Sequence, residues 1–162
     1  MLPLSPDATP GRRQSTAAIK EALRDLRIQL SLLNHQVGTH LDLNDVDLDF
    51  LDVINRSGPL SPGALARRAG FHPATMTGIL DRLERGGWVA RERDPSDRRA
   101  VVVRALRNRN AEVMRLYSGM NSAIDNVCAE YTSAELKVLA DFLRRTAKAG
   151  IRAADELAGG AR

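Results

Sequence analysis

The run Asp94-Pro95-Ser96-Asp97-Arg98-Arg99 places two adjacent guanidinium groups in a turn between two extended segments. The segments are 88–93 and 100–106, the second containing Val101-Val102-Val103, and Pro95-Ser96-Asp97 supply the turn chemistry. An arginine at the tip of such a hairpin can enter a narrow groove of enhanced negative potential. Arg98 is therefore the foremost candidate for contact with a polyanion. Arg99 is a second, to phosphate or to the hairpin itself, and Asp97 is expected to hold the hairpin through a salt bridge to an arginine of the strands. Just upstream, a short helix is predicted to open at His72-Pro73 and to stop at Gly86-Gly87. His72, Ala74, Thr75, Thr77 and Gly78 lie on or near its polar side, while Met76, Ile79, Leu80 and Leu83 face inward. Hydroxyls at Thr75 and Thr77 can bond base edges or phosphates, and an Ala or Thr methyl can meet a thymine methyl. Pro73 is placed to touch backbone. Arg82, one turn on, is a phosphate candidate, and Ser61 is another through the amide end of the helix it caps. For each of Thr75, Thr77 and Arg82 the plainer alternative is helix packing or solvation, and for the turn it is an ordinary charged surface. A helix followed by an arginine-tipped hairpin suits reading one groove of DNA and reaching into the next.

The charge distribution agrees. The chain carries a net +4 with a pI near 9.8. From Arg82 to Arg109 there are nine Arg, no Lys and four acids, a local excess of five positive charges, so the remainder nets −1. Codon bias explains arginine over lysine, but not the clustering, which is the footprint expected on nucleic acid.

The elements that must position these residues follow from periodicity. A tail is expected over 1–15 and a long amphipathic helix over 16–41, with Ile19, Leu23, Leu26, Leu30, Leu33 and Val37 in a heptad-like stripe. At ~1.5 Å per residue it would span roughly 39 Å. Asn44 caps a second helix that ends at Gly58-Pro59, and Ser61-Pro62 start a third that closes at Gly70. After the hairpin, a fifth helix is expected over 108–131, with Val113, Leu116, Met120, Ile124 and Val127 as its stripe. Thr132 or Ser133 caps a sixth, carrying Leu136, Leu139, Leu143 and Ala147. The long end helices carry more apolar surface than the central unit can cover, which points to a second subunit, and a two-fold dimer matches a palindromic site. The expected divisions are a tail (1–15), a helical dimerisation region (16–43 and 107–157), a DNA-binding region (44–106) and a frayed end (158–162).

Other chemistries find little support. His35 and His40 are five apart and share no helix face as an i, i+4 metal pair would, so no metal or cofactor is expected. The single Cys128 forbids an intrachain disulfide and is read as a buried, inert thiol. There is no Gly-rich phosphate loop, nucleophile elbow or paired catalytic carboxylates, so no enzyme is expected. No apolar run approaches the ~20 residues of a membrane span, and the N-terminus lacks a secretory h-region, so a cytoplasmic protein without membrane partners is expected.

From Ser61 to Val103 the sequence resembles the MarR family of winged helix-turn-helix regulators. Ala66, Gly70 and Met76 fit the helix-turn-helix spacing, and Asp94-Pro95-Ser96-Asp97-Arg98-Arg99 looks like that family's wing signature, at the right distance after Leu80-Asp81-Arg82-Leu83-Glu84. The resemblance implies a mainly α fold with a small β-hairpin wing and long N- and C-terminal dimerisation helices. It also implies a homodimer on double-stranded DNA, the fourth helix in the major groove and the wing tip in the minor groove. A repressor released by a small aromatic or phenolic ligand is the resulting expectation, with His35 and Gly38 near the ligand. The alternative is a winged-helix adaptor that binds protein without reading DNA sequence. Two departures stand out. Gly78 replaces the long side chain common in the family, at a cost of ~1 kcal/mol relative to Ala. Ala105-Leu106-Arg107 replaces a Leu-Thr cap, leaving Asn108 as the expected cap of the fifth helix.

Overall fold

The computed structural model describes residues 10–97 and 99–159, so Arg98, residues 1–9 of the expected tail and residues 160–162 of the expected frayed end lie outside the described residues. The elements run α1 (Pro10–Leu41), α2 (Asp45–Ser57), α3 (Pro62–Ala69), α4 (Pro73–Arg85), β1 (Val89–Arg93), β2 (Val101–Ala105), α5 (Arg107–Leu116), α6 (Ser118–Cys128) and α7 (Ser133–Gly159). The fold is mainly α with one antiparallel hairpin, as expected. The chain forms two compact units, Met1–Leu48 and Asp49–Arg162, and α2 passes from one to the other.

In the first unit, α1 begins at Pro10, six residues before the expected start at Thr16. Proline suits a first helical position, and Arg12, Arg13 and Gln14 are good helix formers. Ser15 and Thr16 do not cap. Their hydroxyls donate back to Gly11 O at 3.0 Å and Arg12 O at 2.9 Å, inside the helix. Along the stripe, Ile19, Leu26 and Leu30 are exposed, Leu23 and Leu33 half-buried, and Val37 buried. Asn44 caps α2 as expected, its Oδ1 accepting from Asp47 N at 2.8 Å. That same pair explains the buried Asp47 carboxylate, which Asn44 Nδ2 meets at 3.0 Å near the positive end of the helix.

The second unit holds the core that positions the hairpin. Ser61 Oγ accepts from Ala64 N at 3.2 Å to start α3, and Gly70, at φ +66°, ends it. α3 packs on α4, and α4 on β1. Leu65, Leu80, Leu83 and Val103 are fully buried, joined by Met76, Ile79, Trp88 and Val89. The strands pair in the register Val89↔Ala105 through Arg93↔Val101. The sequence reading missed a further pairing. Leu60 exchanges both backbone hydrogen bonds with Val103, at 3.2 and 2.8 Å, so the Gly58-Pro59 terminator feeds a one-residue bridge beside the hairpin.

Downstream, two expectations are corrected. α5 starts at Arg107 behind Leu106, which makes no side-chain cap, so Asn108 is not the cap. The single fifth helix expected over 108–131 is two helices broken at Tyr117. There the Ser118 hydroxyl takes the Arg115 carbonyl at 2.7 Å, and Ser118 and Gly119 are weak helix formers, so the ladder opens for one residue. Of the two residues proposed to cap the last helix, Thr132 does so: its Oγ1 accepts from Glu135 N at 3.3 Å while Glu135 Oε2 accepts from Thr132 N at 2.8 Å.

Leu80 and Thr75 test the two faces of α4. Leu80→Ala is expected to lower the unfolding free energy by about 2–5 kcal/mol, and Thr75→Ala to stay within about 0.5 kcal/mol. Urea denaturation followed by circular dichroism measures both, and equal shifts would contradict the assignment of faces.

Candidate nucleic-acid interface

The outer face of α4 is built by its cap. His72 Nδ1 accepts from Ala74 N at 3.2 Å, which makes the ring an Nε2–H tautomer with Nε2 outside the cap bond. Pro73 occupies the first turn, where no backbone donor is needed. His72, Pro73, Ala74, Thr75 and Thr77 are all exposed. Thr77 Oγ1 donates to Pro73 O at 3.0 Å, so its hydroxyl keeps only acceptor capacity, whereas the Thr75 hydroxyl has no partner among the described residues. Gly78 is half-buried, and Arg82 Nη1 lies 3.7 Å from where a Cβ at Gly78 would stand. The space of the missing side chain is therefore bordered by a guanidinium from the next turn of the same helix. Ser61 is half-buried and committed to its cap.

At the hairpin tip, Asp97 does not make the expected salt bridge to a strand arginine among the described residues. Its Oδ1 accepts from Arg99 N at 3.0 Å, and its carbonyl from Ala100 N at 2.9 Å, closing a tight turn. Aspartate prefers this local bond because its short side chain reaches the amide two residues on. Two of the three strand arginines are also already taken. Arg104 pairs with Glu92 across the hairpin, and Arg91 reaches back to Asp81 at 2.6 Å and to Glu84 on α4. Asp94 Oδ1 accepts from Ser96 N at 2.8 Å and Ser96 Oγ at 2.6 Å. These bonds set the local acid strengths. The Arg104 guanidinium holds the Glu92 carboxyl below the usual carboxylate range, and the Ser96 hydroxyl and amide do the same for Asp94.

The nine clustered arginines are thus not equivalent. Arg91, Arg104 and Arg109 are engaged within the protein. Arg85, Arg93, Arg99 and Arg107 are exposed, with no side-chain partner among the described residues. Sequence reasoning missed this division, since the only signal for it was the matching acids at 81, 84 and 92.

The residues expected near a ligand have local work. His35 Nδ1 lies 3.1 Å from Asp45 Oδ1, joining α1 to the start of α2. A Cβ at Gly38 would stand 2.6 Å from the Leu43 carbonyl oxygen, so only glycine lets the chain reverse there. His40 Nδ1 meets Gln36 O at 2.9 Å, and no metal-binding cluster occurs among the described residues. A separate cavity of about 100 Å³ opens between α2 and α3, lined by Asp49, Phe50, Val53, Leu65, Arg68 and Ala69.

Residues 43–101 match the family model described as MarR family. Over 127 residues, 78% of this chain and 82% of its relative, the sequence is 32% identical to the uncharacterized HTH-type transcriptional regulator YcgE of Bacillus subtilis (strain 168). The chain belongs to the MarR family. It is also 33% identical over 90 residues, 53% of this chain and 54% of the other, to the HTH-type transcriptional repressor YetL of the same organism. The structure of a MarR family protein from Bacillus stearothermophilus shares the fold, with a TM-score of 0.64 over 84% of this chain and 95% of that one, at 23% identity. In this MarR-family chain, α3 and α4 form the helix-turn-helix and β1–β2 the wing. It is a DNA-binding transcriptional regulator and not an enzyme. No helix among the described residues is long and apolar enough to cross a membrane.

The lowered Glu92 and Asp94 pKa values give the wing a pH signature. Their contribution is complete above the unfolded carboxylate pKa and is lost as pH falls through the lower folded values. Amide protection factors in β1 and β2, measured by NMR, are expected to hold from neutrality to about pH 4.5 and to fall only in stronger acid. Loss of protection already between about pH 7 and 5 would contradict the bonds described.

Proposed function

We propose that the chain acts as a homodimer on a palindromic operator, with α4 in the major groove and the wing tip in the adjacent minor groove. The observation that carries this reading is the pairing of a small, hydroxyl-bearing face (Ala74, Thr75, Thr77) with arginines at 85, 93, 99 and 107 whose side chains make no bond within the described protein. Small side chains let a helix approach base edges closely, and uncommitted guanidinium groups bind phosphate. Thr77, restricted to accepting, fits the amino group of adenine or cytosine. Thr75 fits either donors or acceptors. His72, Pro73, Ala74, Gly78, Arg82 and Ser61 complete the major-groove side, and Asp97, Arg98 and Arg99 the wing side. Support for the dimer comes from apolar residues left exposed on α1 (Ile19, Leu26, Leu30), α6 (Ile124, Val127) and α7 (Val138, Phe142, Leu143). A repressing role is supported by the likeness to YetL, a repressor by name.

Release by a small aromatic molecule belongs to the same reading. The cavity beside Phe50 has apolar walls and about the volume of one ring, and Arg68, whose Nη1 donates to Ser57 Oγ at 2.9 Å, is among its lining residues. We assign the effector to this cavity rather than to His35 and Gly38, whose contacts are with Asp45 and Leu43.

Fluorescence anisotropy with a duplex from upstream of the protein's own gene tests the DNA reading. If the dimer neutralises about eight phosphates, log affinity should fall against log salt with a slope near roughly −7. Arg98→Ala and Arg99→Ala should weaken binding, and Thr75→Ala should relax sequence preference by ~1–3 kcal/mol. A slope near zero would overturn the proposal. For the effector, aromatic carboxylic acids in excess should raise the thermal midpoint of the wild type, and Phe50→Ala should abolish the rise. If no aromatic acid stabilises the wild type, that part of the proposal is lost.

A further inference from the structure

The junction between α4 and the wing is two consecutive glycines, the most permissive backbone available. Gly87 sits at φ +70°, a conformation that other residues rarely adopt. Left to itself such a joint would not fix the angle between α4 and β1, yet the two must reach neighbouring grooves in fixed relation. Backbone bonds hold part of it: Gly86 N donates to Arg82 O at 2.9 Å, Gly87 N to Glu84 O at 3.0 Å, and Trp88 N to Leu83 O at 2.9 Å.

Arg109, in the first turn of α5, holds the rest. Its guanidinium carbon lies 3.6 Å from the centre of the Trp88 ring, stacked as a cation over an aromatic face. Its Nη1 donates to the Gly86 carbonyl, and its Nη2 lies 3.4 Å from Glu112 Oε2, one turn along α5. Trp88 itself is buried at 2% exposure, and a Cβ at Gly86 would stand 2.7 Å from its Cδ1, so glycine at 86 is what admits the indole. The geometry points to Arg109 as a positioning residue: it clasps the α4–wing joint from α5 and sets the angle at which the two DNA-contacting elements are presented, without itself touching DNA. The assignment rests on the DNA-binding reading above. It separates Arg109 from Arg85, Arg93 and Arg99, because its cationic face lies on the indole and its donors on Gly86 and Glu112. It also makes α5 a lever on the joint, since any displacement of its first turn carries the guanidinium off the indole.

Trp88 is the only tryptophan of the chain, so its fluorescence reads the clasp directly and without DNA. The experiment compares full-length wild type, Arg109→Ala and Arg109→Lys at a temperature where circular dichroism shows each to be folded. Arg109→Ala is expected to shift Trp88 emission and to weaken operator binding roughly 5- to 30-fold, with the salt slope unchanged. Arg109→Lys keeps the charge but not the planar fork and is expected to remain weakened. Unchanged affinity in Arg109→Ala would overturn the assignment. So would a salt slope shallower by about one per protomer that Lys restores, the behaviour of a phosphate contact. If Arg109→Ala does not fold, Arg109→Lys, whose stem still covers the indole, decides alone, and wild-type affinity in it overturns the proposal. A wild type that binds no duplex removes the DNA reading itself, whereas a binding wild type with an unaffected variant removes only the clasp.

Discussion

Helix α4 has to face two ways at once, and the rest of the structure depends on how it does so. In thirteen residues it buries Met76, Ile79, Leu80 and Leu83 and exposes Ala74, Thr75 and Thr77. Every contact that holds it must therefore come from one side. α3 and the hairpin supply that side through Leu65, Val89 and Val103, and the Leu60 bridge ties the start of α3 to the hairpin that backs α4. A helix packed on one face and bare on the other is stable only if the buried face is filled without gaps, because nothing on the outer face can compensate. Leu65, Leu80, Leu83 and Val103 are fully buried on that side.

The same constraint governs the charges. A surface meant for a polyanion concentrates guanidinium groups, and these repel one another and would splay the wing unless some are neutralised internally. Arg91 turns to Asp81 and Glu84, and Arg104 to Glu92, so acids on α4 and β1 that would oppose phosphate are covered by arginines of the hairpin strands. Exposed pairs of this kind contribute little stability individually. Their effect is on orientation: Arg91 braces β1 against α4, and Arg109 braces the glycine joint between them. What remains uncommitted among the described residues, at 85, 93, 99 and 107, is an exposed part of the cluster.

Away from the reading head, the long helices are under-packed as they stand. α7 has no buried residue among those described, and α6 has none either, although both carry regular apolar stripes. Their caps are nonetheless well made, Thr132 and Glu135 satisfying one another at the start of α7. A helix with a satisfied terminus and an uncovered apolar stripe is built to meet another surface, consistent with the proposed dimer.

Local chemistry was legible from the residues alone. The caps at Asn44, Ser61 and His72-Pro73, the stops at Gly70 and Gly86-Gly87, the inward face of α4 and the strands at 88–93 and 100–106 all follow from interactions within about one helical turn or one β-turn. Where local reading failed, the competing interaction was also local but weak, as at Tyr117, where a serine hydroxyl and a glycine opened the ladder, and at Pro10, where helix formers extended α1 past an apparent tail. The division of labour among the arginines belongs to another class. Arg91 finds its partners seven and ten residues away, Arg109 finds Gly86 at twenty-three, and Asn55 meets Asn110 at fifty-five. Composition shows that these side chains exist and carry charge. Which of them turns inward is decided only when the chain has returned on itself, because a guanidinium takes whichever acid, carbonyl or ring the packed core brings within reach. The sequence by itself determined that there is a basic hairpin behind a two-faced helix, and the tertiary structure alone decided which of its arginines remain for a partner.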